Sequence, residues 1–113
     1  MDCIFCKIID GEIPAGEIFE DKEFLAFRDI HPQAPVHILL VPKLHIPTLS
    51  NLKIENDGLM GRLIILATKI ASTEHVATKG YRLIVNCGSD GGQVVPHLHL
   101  HLLGGRRLDD LMG

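Results

Sequence analysis

His97-Leu98-His99-Leu100-His101-Leu102-Leu103 is the stretch that decides how this chain folds. Side chains alternate across a β-strand, so the three histidines share one face and Leu98, Leu100 and Leu102 the other. Alternate residues lie about 6.6 Å apart along a strand. The leucine face can bury against a helix. The histidine face then looks into a polar site or solvent. Packing does not account for three imidazoles in a row, because Thr or Lys would solvate such a face as well. Three explanations stay open at this point. The rings are surface residues, or zinc ligands in which a His-x-His pair chelates one ion, or groups that act on phosphate. In the last case one imidazole is a nucleophile at neutral pH and a second carries a proton for the leaving group.

Immediately upstream, Gly88-Ser89-Asp90-Gly91-Gly92 reads as a loop. Its glycines let backbone N–H groups turn toward a ligand without Cβ obstruction, forming an anion-binding nest. Gln93 adds an amide donor. No Lys or Arg occurs between Gly88 and Gly105, so N–H groups and protonated histidine would have to meet the phosphate charge. This loop directly before the histidine strand favours phosphate chemistry.

Further out, Leu59, Leu63, Leu66 and Ile70 recur at helical steps and predict a long helix from about Asp57 to Glu74. Tyr81 to Cys87 reads as a strand between that helix and the glycine loop. Upstream, Glu17 to Glu20 and Phe24 to Arg28 read as a hairpin, and His37 to Val41 as a third strand stopped by Pro42. Pro32 and Pro35 fix the loop after Asp29-Ile30. Residues 43 to 56 read as irregular. Cys3 to Ile9 reads as a short helix ended by Asp10-Gly11. The sum is an α+β domain spanning residues 1–113. It has a five-stranded, mostly antiparallel sheet, one short and one long helix, and the helices on one face. Its exposed sheet edges need covering, and dimerisation is one way to do so.

At 113 residues, 46% hydrophobic and 22% charged, the chain is not of disordered composition. A net charge of −3 argues against a general nucleic-acid binder, though a single nucleotide needs only a local site. Asp2, Lys7 and Asp10 interrupt the N-terminal apolar residues, and no apolar run is long enough to span a bilayer. Three cysteines do not make a disulfide framework. The expectation is a cytoplasmic protein without a membrane segment.

The chain resembles the histidine triad (HIT) family, in particular its Hint branch. The resemblance is carried by the histidine run and, in order, by Cys3-Ile4-Phe5-Cys6-Lys7-Ile8-Ile9, Gly11-Glu12-Ile13-Pro14, Phe27-Arg28-Asp29-Ile30, Pro32-Gln33-Ala34-Pro35-Val36-His37 and Gly88-Ser89-Asp90-Gly91-Gly92-Gln93. It implies a homodimer that binds purine nucleoside monophosphates and hydrolyses the P–N bond of nucleoside phosphoramidates, with no cofactor for the chemistry. It further implies that His99 attacks phosphorus and forms a nucleotidyl-histidine intermediate. His97 and His101 stabilise phosphoryl oxygens, one of them passes a proton to the amine, and His37 supports the cluster. Asp29 accepts the ribose hydroxyls. Asn86, Gly92, Gln93 and the Val94 N–H lie beside the phosphate, and Phe5, Ile8, Phe27 and Ile30 offer an apolar slot for the base. Two other activities fit the same ligand class: dinucleoside polyphosphate hydrolysis, or nucleotide binding with little turnover. A zinc hydrolase built on the three histidines is the alternative outside the family.

The chain departs from the resemblance at Val94, where Ser or Thr is common, at Pro96, where an aromatic is common, and in a tail without Trp. Cys3 and Cys6 form a C-x2-C pair, a spacing that can hold zinc if two more ligands come near. Some bacterial HIT proteins supply them from positions that here are His45 and His97, so the resemblance extends to a structural zinc. Two free thiols are the equal alternative.

Overall fold

The computed structural model describes residues 3–113. Helix α1 (Ile4–Ile9) leads into β1 (Glu17–Glu20), β2 (Phe24–Arg28) and β3 (Val36–Pro42). Two single 3-10 turns, Leu49–Asn51 and Ile54–Asn56, precede helix α2 (Asp57–Thr73), and β4 (Tyr81–Ile84) and β5 (Leu100–Gly104) follow. The sheet order is β1-β2-β3-β5-β4 and every pairing is antiparallel. Among the described residues no helix is long and apolar enough to cross a membrane.

The helices cover opposite faces of the sheet, which corrects the expectation of one face. Phe24 and Ala26 of β2 point to α2, where Leu59, Leu63, Ala67, Ile70 and Ala71 meet Leu98, Leu100 and Leu102. Leu25 and Phe27 point the other way, to Cys3, Phe5 and Ile8 of the α1 segment. The sign of this was in β2 itself. Phe24-Leu25-Ala26-Phe27 is apolar without alternation and fully buried, as a strand covered on both faces should be.

Both C-terminal strands are shorter than predicted. β4 stops at Ile84, and β5 begins at Leu100, so His97 and His99 precede the ladder, His97 in a bend in which its N–H bonds Val95 O at 2.8 Å. The cause is Pro42. The β3–β5 register ends at Leu40 opposite Leu100, and Pro42 has no N–H with which to continue it. One bond, from Leu98 N–H to the Ile46 carbonyl at 2.7 Å, holds the segment instead. The predicted alternation survives: Leu98, Leu100 and Leu102 lie in the α2 core, and the histidines face the α1 side.

Candidate active site

Each histidine ring is fixed by what accepts its proton. A carbonyl only accepts, so His99, whose Nδ1 lies 2.7 Å from the His97 carbonyl, donates from Nδ1 and keeps a bare Nε2. His37 is fixed in the opposite sense. Its Nδ1 accepts the Gln33 backbone N–H at 3.0 Å, so the neutral ring carries its proton on Nε2. That proton points at His101 Nδ1, 3.0 Å away, with Asp29 Oδ2 also near at 3.4 Å. His101, accepting at Nδ1, therefore holds a proton on Nε2. The rings of His99 and His101 stand edge to face, 5.0 Å between centroids. A bare imidazole nitrogen beside an N–H of a second imidazole is the pairing that nucleophilic attack with proton transfer needs.

Burial pushes the pKa values of His37, His99 and His101 below the ordinary imidazole range. For His101 burial acts first, His99 and His37 add to it, Asp29 opposes it, and the value falls to about 4. In the free protein these rings are neutral at pH 7, and a bound phosphate anion would raise them.

His97 belongs to a different environment. Its Nε2 donates to the Pro42 carbonyl at 2.8 Å, and its Nδ1 faces Cys3 Sγ at 3.2 Å, Cys6 Sγ at 3.6 Å and His45 Nδ1 at 3.1 Å. The ring is fully buried. With both nitrogens engaged it has no route to a phosphoryl oxygen, which corrects the oxyanion role expected for it. The four ligand atoms of Cys3, Cys6, His45 and His97 lie within 4.8 Å of one another. Cys6 Sγ is 3.3 Å from His45 Nδ1. A tetrahedral zinc with its usual bond lengths has ligand–ligand edges of about 3.4–3.8 Å, so the donor set fits in number, kind and spacing. Burial, then the Cys3 thiol, push Cys6 up to about 11, and a cation among these sulfurs would reverse that.

The three triad rings do not converge on one ion. Asp29, His37 and His101 do gather ligand atoms within 4.8 Å. A metal there would displace the Nε2 proton that the Gln33 N–H imposes on His37. This argues against the zinc hydrolase built on the histidine run.

The glycine loop differs from the predicted nest. Gly92 N–H donates to Ser89 O and Gln93 N–H to Gly88 O, each at 3.0 Å, so both close the turn itself. The Gln93 side chain is engaged as well: Oε1 accepts from Gly88 N–H, and Nε2 donates to Pro47 O and Val95 O. It staples the loop and is not a free donor. A Cβ at Gly91 would collide with the Cys87 carbonyl, and Gly92 has φ +80°, so both positions require glycine. Asn86 Nδ2 donates to Gly91 O at 2.7 Å. Val94 follows the closed turn with an exposed side chain.

Phe5, Ile8 and Phe27 are buried together, with Phe5 edge-on to Phe27, so they are core that backs the site. Ile30 is 83% exposed, on the loop that carries Asp29. Asp29 Oδ1 caps that loop through the His31 N–H at 2.8 Å. A cavity of about 300 Å³ opens beside His37, Asn86 and His101, rimmed by Arg82, Arg106 and the C-terminal tail.

Residues 10–108 match the HIT domain. The chain belongs to the HIT family. A purine nucleoside phosphoramidase of Escherichia coli K12 is 49% identical over 98% of the chain and 93% of its own length. A HIT family hydrolase of Legionella pneumophila superposes with a TM-score of 0.95 at 51% identity, covering 96% of this chain and 97% of that one. A histidine triad protein of Clostridium difficile gives 0.95 at 46%, covering 99% and 97%. The HIT motif contains the rings, but several of the groups that fix them are backbone: the carbonyls of His97 and Pro42 and, acting through His37, the N–H of Gln33. Sequence reading missed these because every residue has such groups. The only sign was Pro42, whose missing N–H ends the ladder.

Proposed function

We propose that this HIT protein hydrolyses purine nucleoside phosphoramidates through a nucleotidyl-histidine intermediate on His99. The observation that carries this is the proton placement: Nε2 of His99 is bare while Nε2 of His101, beside it, bears hydrogen. His99 Nε2 attacks phosphorus and the P–N bond breaks. The leaving amine takes a proton from the His37–His101 pair, which holds one extra proton when the phosphate anion lies against it. Water then attacks phosphorus, gives its proton to the pair, and releases the nucleoside monophosphate and a restored His99. In the bound state Asp29 faces the ribose, Ile30 covers the base, and Asn86 and the Val94 N–H lie toward the phosphate. AMP is the product expected from an adenosine substrate.

The same reading gives zinc to Cys3, Cys6, His45 and His97. Bound there, the ion would tie α1 to the end of β3 and to the histidine segment, a structural role separate from the reaction. The free edge of β4 supports a homodimer formed by pairing two copies of that strand.

The test is turnover of adenosine 5′-phosphoramidate by wild type and His99→Ala, each with and without a chelator. Wild-type turnover that survives brief chelation and falls about 10³-fold or more in His99→Ala is expected. Turnover retained in the variant would sink the nucleophile assignment.

A further inference from the structure

The Cys/His cluster and the reacting ring are joined by two short connections. The first runs through the backbone of one residue. The His97 ring is held in the cluster by Cys3 and His45 and against Pro42 O, and the carbonyl of this same residue accepts the Nδ1–H of His99. The buried ring anchors the His97 Cα, and the carbonyl on that same anchored residue is the acceptor that fixes the His99 tautomer. The second runs through α1. Cys3 caps this helix by accepting the Cys6 N–H at 3.3 Å, and Phe5 sits between the two cysteines in sequence. Its ring stands edge-on to His97 at 5.9 Å and to His99 at 5.1 Å between centroids. The cluster thus sets both the hydrogen-bond acceptor and one wall of the His99 ring.

We propose that Cys3, Cys6, His45 and His97 form the positioning device for His99, so that an intact cluster governs kcat while leaving nucleotide affinity alone. None of the four touches substrate. They act by keeping Nδ1–H on the carbonyl and Nε2 bare. Without them His99 can exchange its proton between the two nitrogens, and the fraction with an available Nε2 falls. The inference rests on the reading of His99 as nucleophile. It holds whether a metal or the cluster's own hydrogen bonds close the four side chains.

The experiment compares full-length wild type, His45→Ala, Cys6→Ser, His45→Cys and His99→Ala. His45 and Cys6 are chosen because neither contacts His99 and both are only half-buried. Four quantities are read: kcat and KM for adenosine 5′-phosphoramidate, AMP affinity by calorimetry, bound metal by plasma mass spectrometry, and the ring 15N shifts of His99. Expected in His45→Ala and Cys6→Ser is a kcat lower by about 10- to 100-fold with AMP affinity within about threefold. The His99 15N shifts should move from a single Nδ1–H tautomer toward the exchange average, and His45→Cys, which restores a ligand atom, should recover both. Wild-type kcat in His45→Ala and Cys6→Ser with an unchanged His99 spectrum would overturn the proposal. So would lost AMP binding in both, since the cluster would then hold the fold and not the ring. Full activity in His99→Ala would instead overturn the nucleophile reading itself.

Discussion

His97 and His101 lie four residues apart, with their rings on the same side of the sheet, and they are chemically opposite. At the His97 end both nitrogens are engaged, by a carbonyl on one side and by thiols and an imidazole on the other, and the ring is sealed. At the His101 end one nitrogen accepts from His37 and the ring borders an open cavity. Between them His99 takes its orientation from the first end and stands against the second. Residue type and alternation are shared along the run; the surrounding donors and acceptors divide it into a structural half and a reactive half.

The sharpest way to break this comparison is to truncate each ring. His97→Ala removes a fully buried side chain, takes the imidazole donor from the Pro42 carbonyl, and leaves the Cys3 thiol with the Cys6 N–H alone. A loss on the order of 3 kcal/mol follows, or a melting temperature lower by about 10 °C or more at this size. His101→Ala should cost stability far less, while kcat for a phosphoramidate falls about 10²-fold or more, as expected for a lost proton-transfer group. Calorimetric melting and steady-state kinetics on both variants check this. Equal melting temperatures, or the larger kcat loss at His97 with its stability intact, would merge the two halves into one.

The division was legible in part. The run His97 to Leu103 announces its own alternation, and the C-x2-C pair announces metal-type chemistry, so the fold class, the leucine face and the two candidate thiol ligands could be read directly, while His45 and His97 as further ligands came from the family resemblance. Two things could not. The first was the side on which α1 packs, because a six-residue helix carries too little periodicity to aim itself. The unbroken apolar run of β2 was the available hint. The second was the assignment of roles within the triad. Three identical rings at equal spacing are told apart by side chains distant in sequence, Cys3, Cys6 and His45 for His97 and His37 for His101, and by backbone groups, Pro42 O, His97 O and, through His37, the Gln33 N–H. The glycine loop misled for the same reason: a sequence shows that N–H groups can point outward, not that Ser89 O and Gly88 O already take them.

Acid titration sharpens the comparison from the reactive side. Burial, with His99 on the same segment and His37 on β3 adding to it and Asp29 opposing it, places His101 at about 4, against about 6.5 for a free imidazole. The sign follows from proton counting. As pH falls below 6.5 the unfolded chain binds this proton before the folded one does, so the contribution of His101 to stability is complete above 6.5 and is lost as pH falls through the folded value. NMR titration of the ring in the nucleotide-free protein should give a midpoint near 4, moving upward when AMP is bound. A midpoint at or above 6.5 without ligand would mean that the ring is solvated, contrary to the geometry described.

The smallest effect lies far from both halves, and it tests whether this fold is tuned for stability anywhere outside the site. After α2, Val76 N–H bonds Ala71 O at 3.0 Å and His75 N–H bonds Ser72 O at 3.1 Å, the pair of bonds that closes a Schellman cap. That cap needs a left-handed residue, and His75 occupies it at φ +63°, the only non-glycine residue at positive φ among those described. A side chain there costs about 1 kcal/mol relative to glycine, and the His75 side chain is exposed, so it packs against little. Part of the gain is offset by the greater freedom of glycine in the unfolded chain. His75→Gly should therefore raise the melting temperature by a few degrees and leave kcat unchanged. A lower melting temperature would mean that the imidazole does more for the end of α2, through its charge at the helix C-terminus, than its backbone conformation costs.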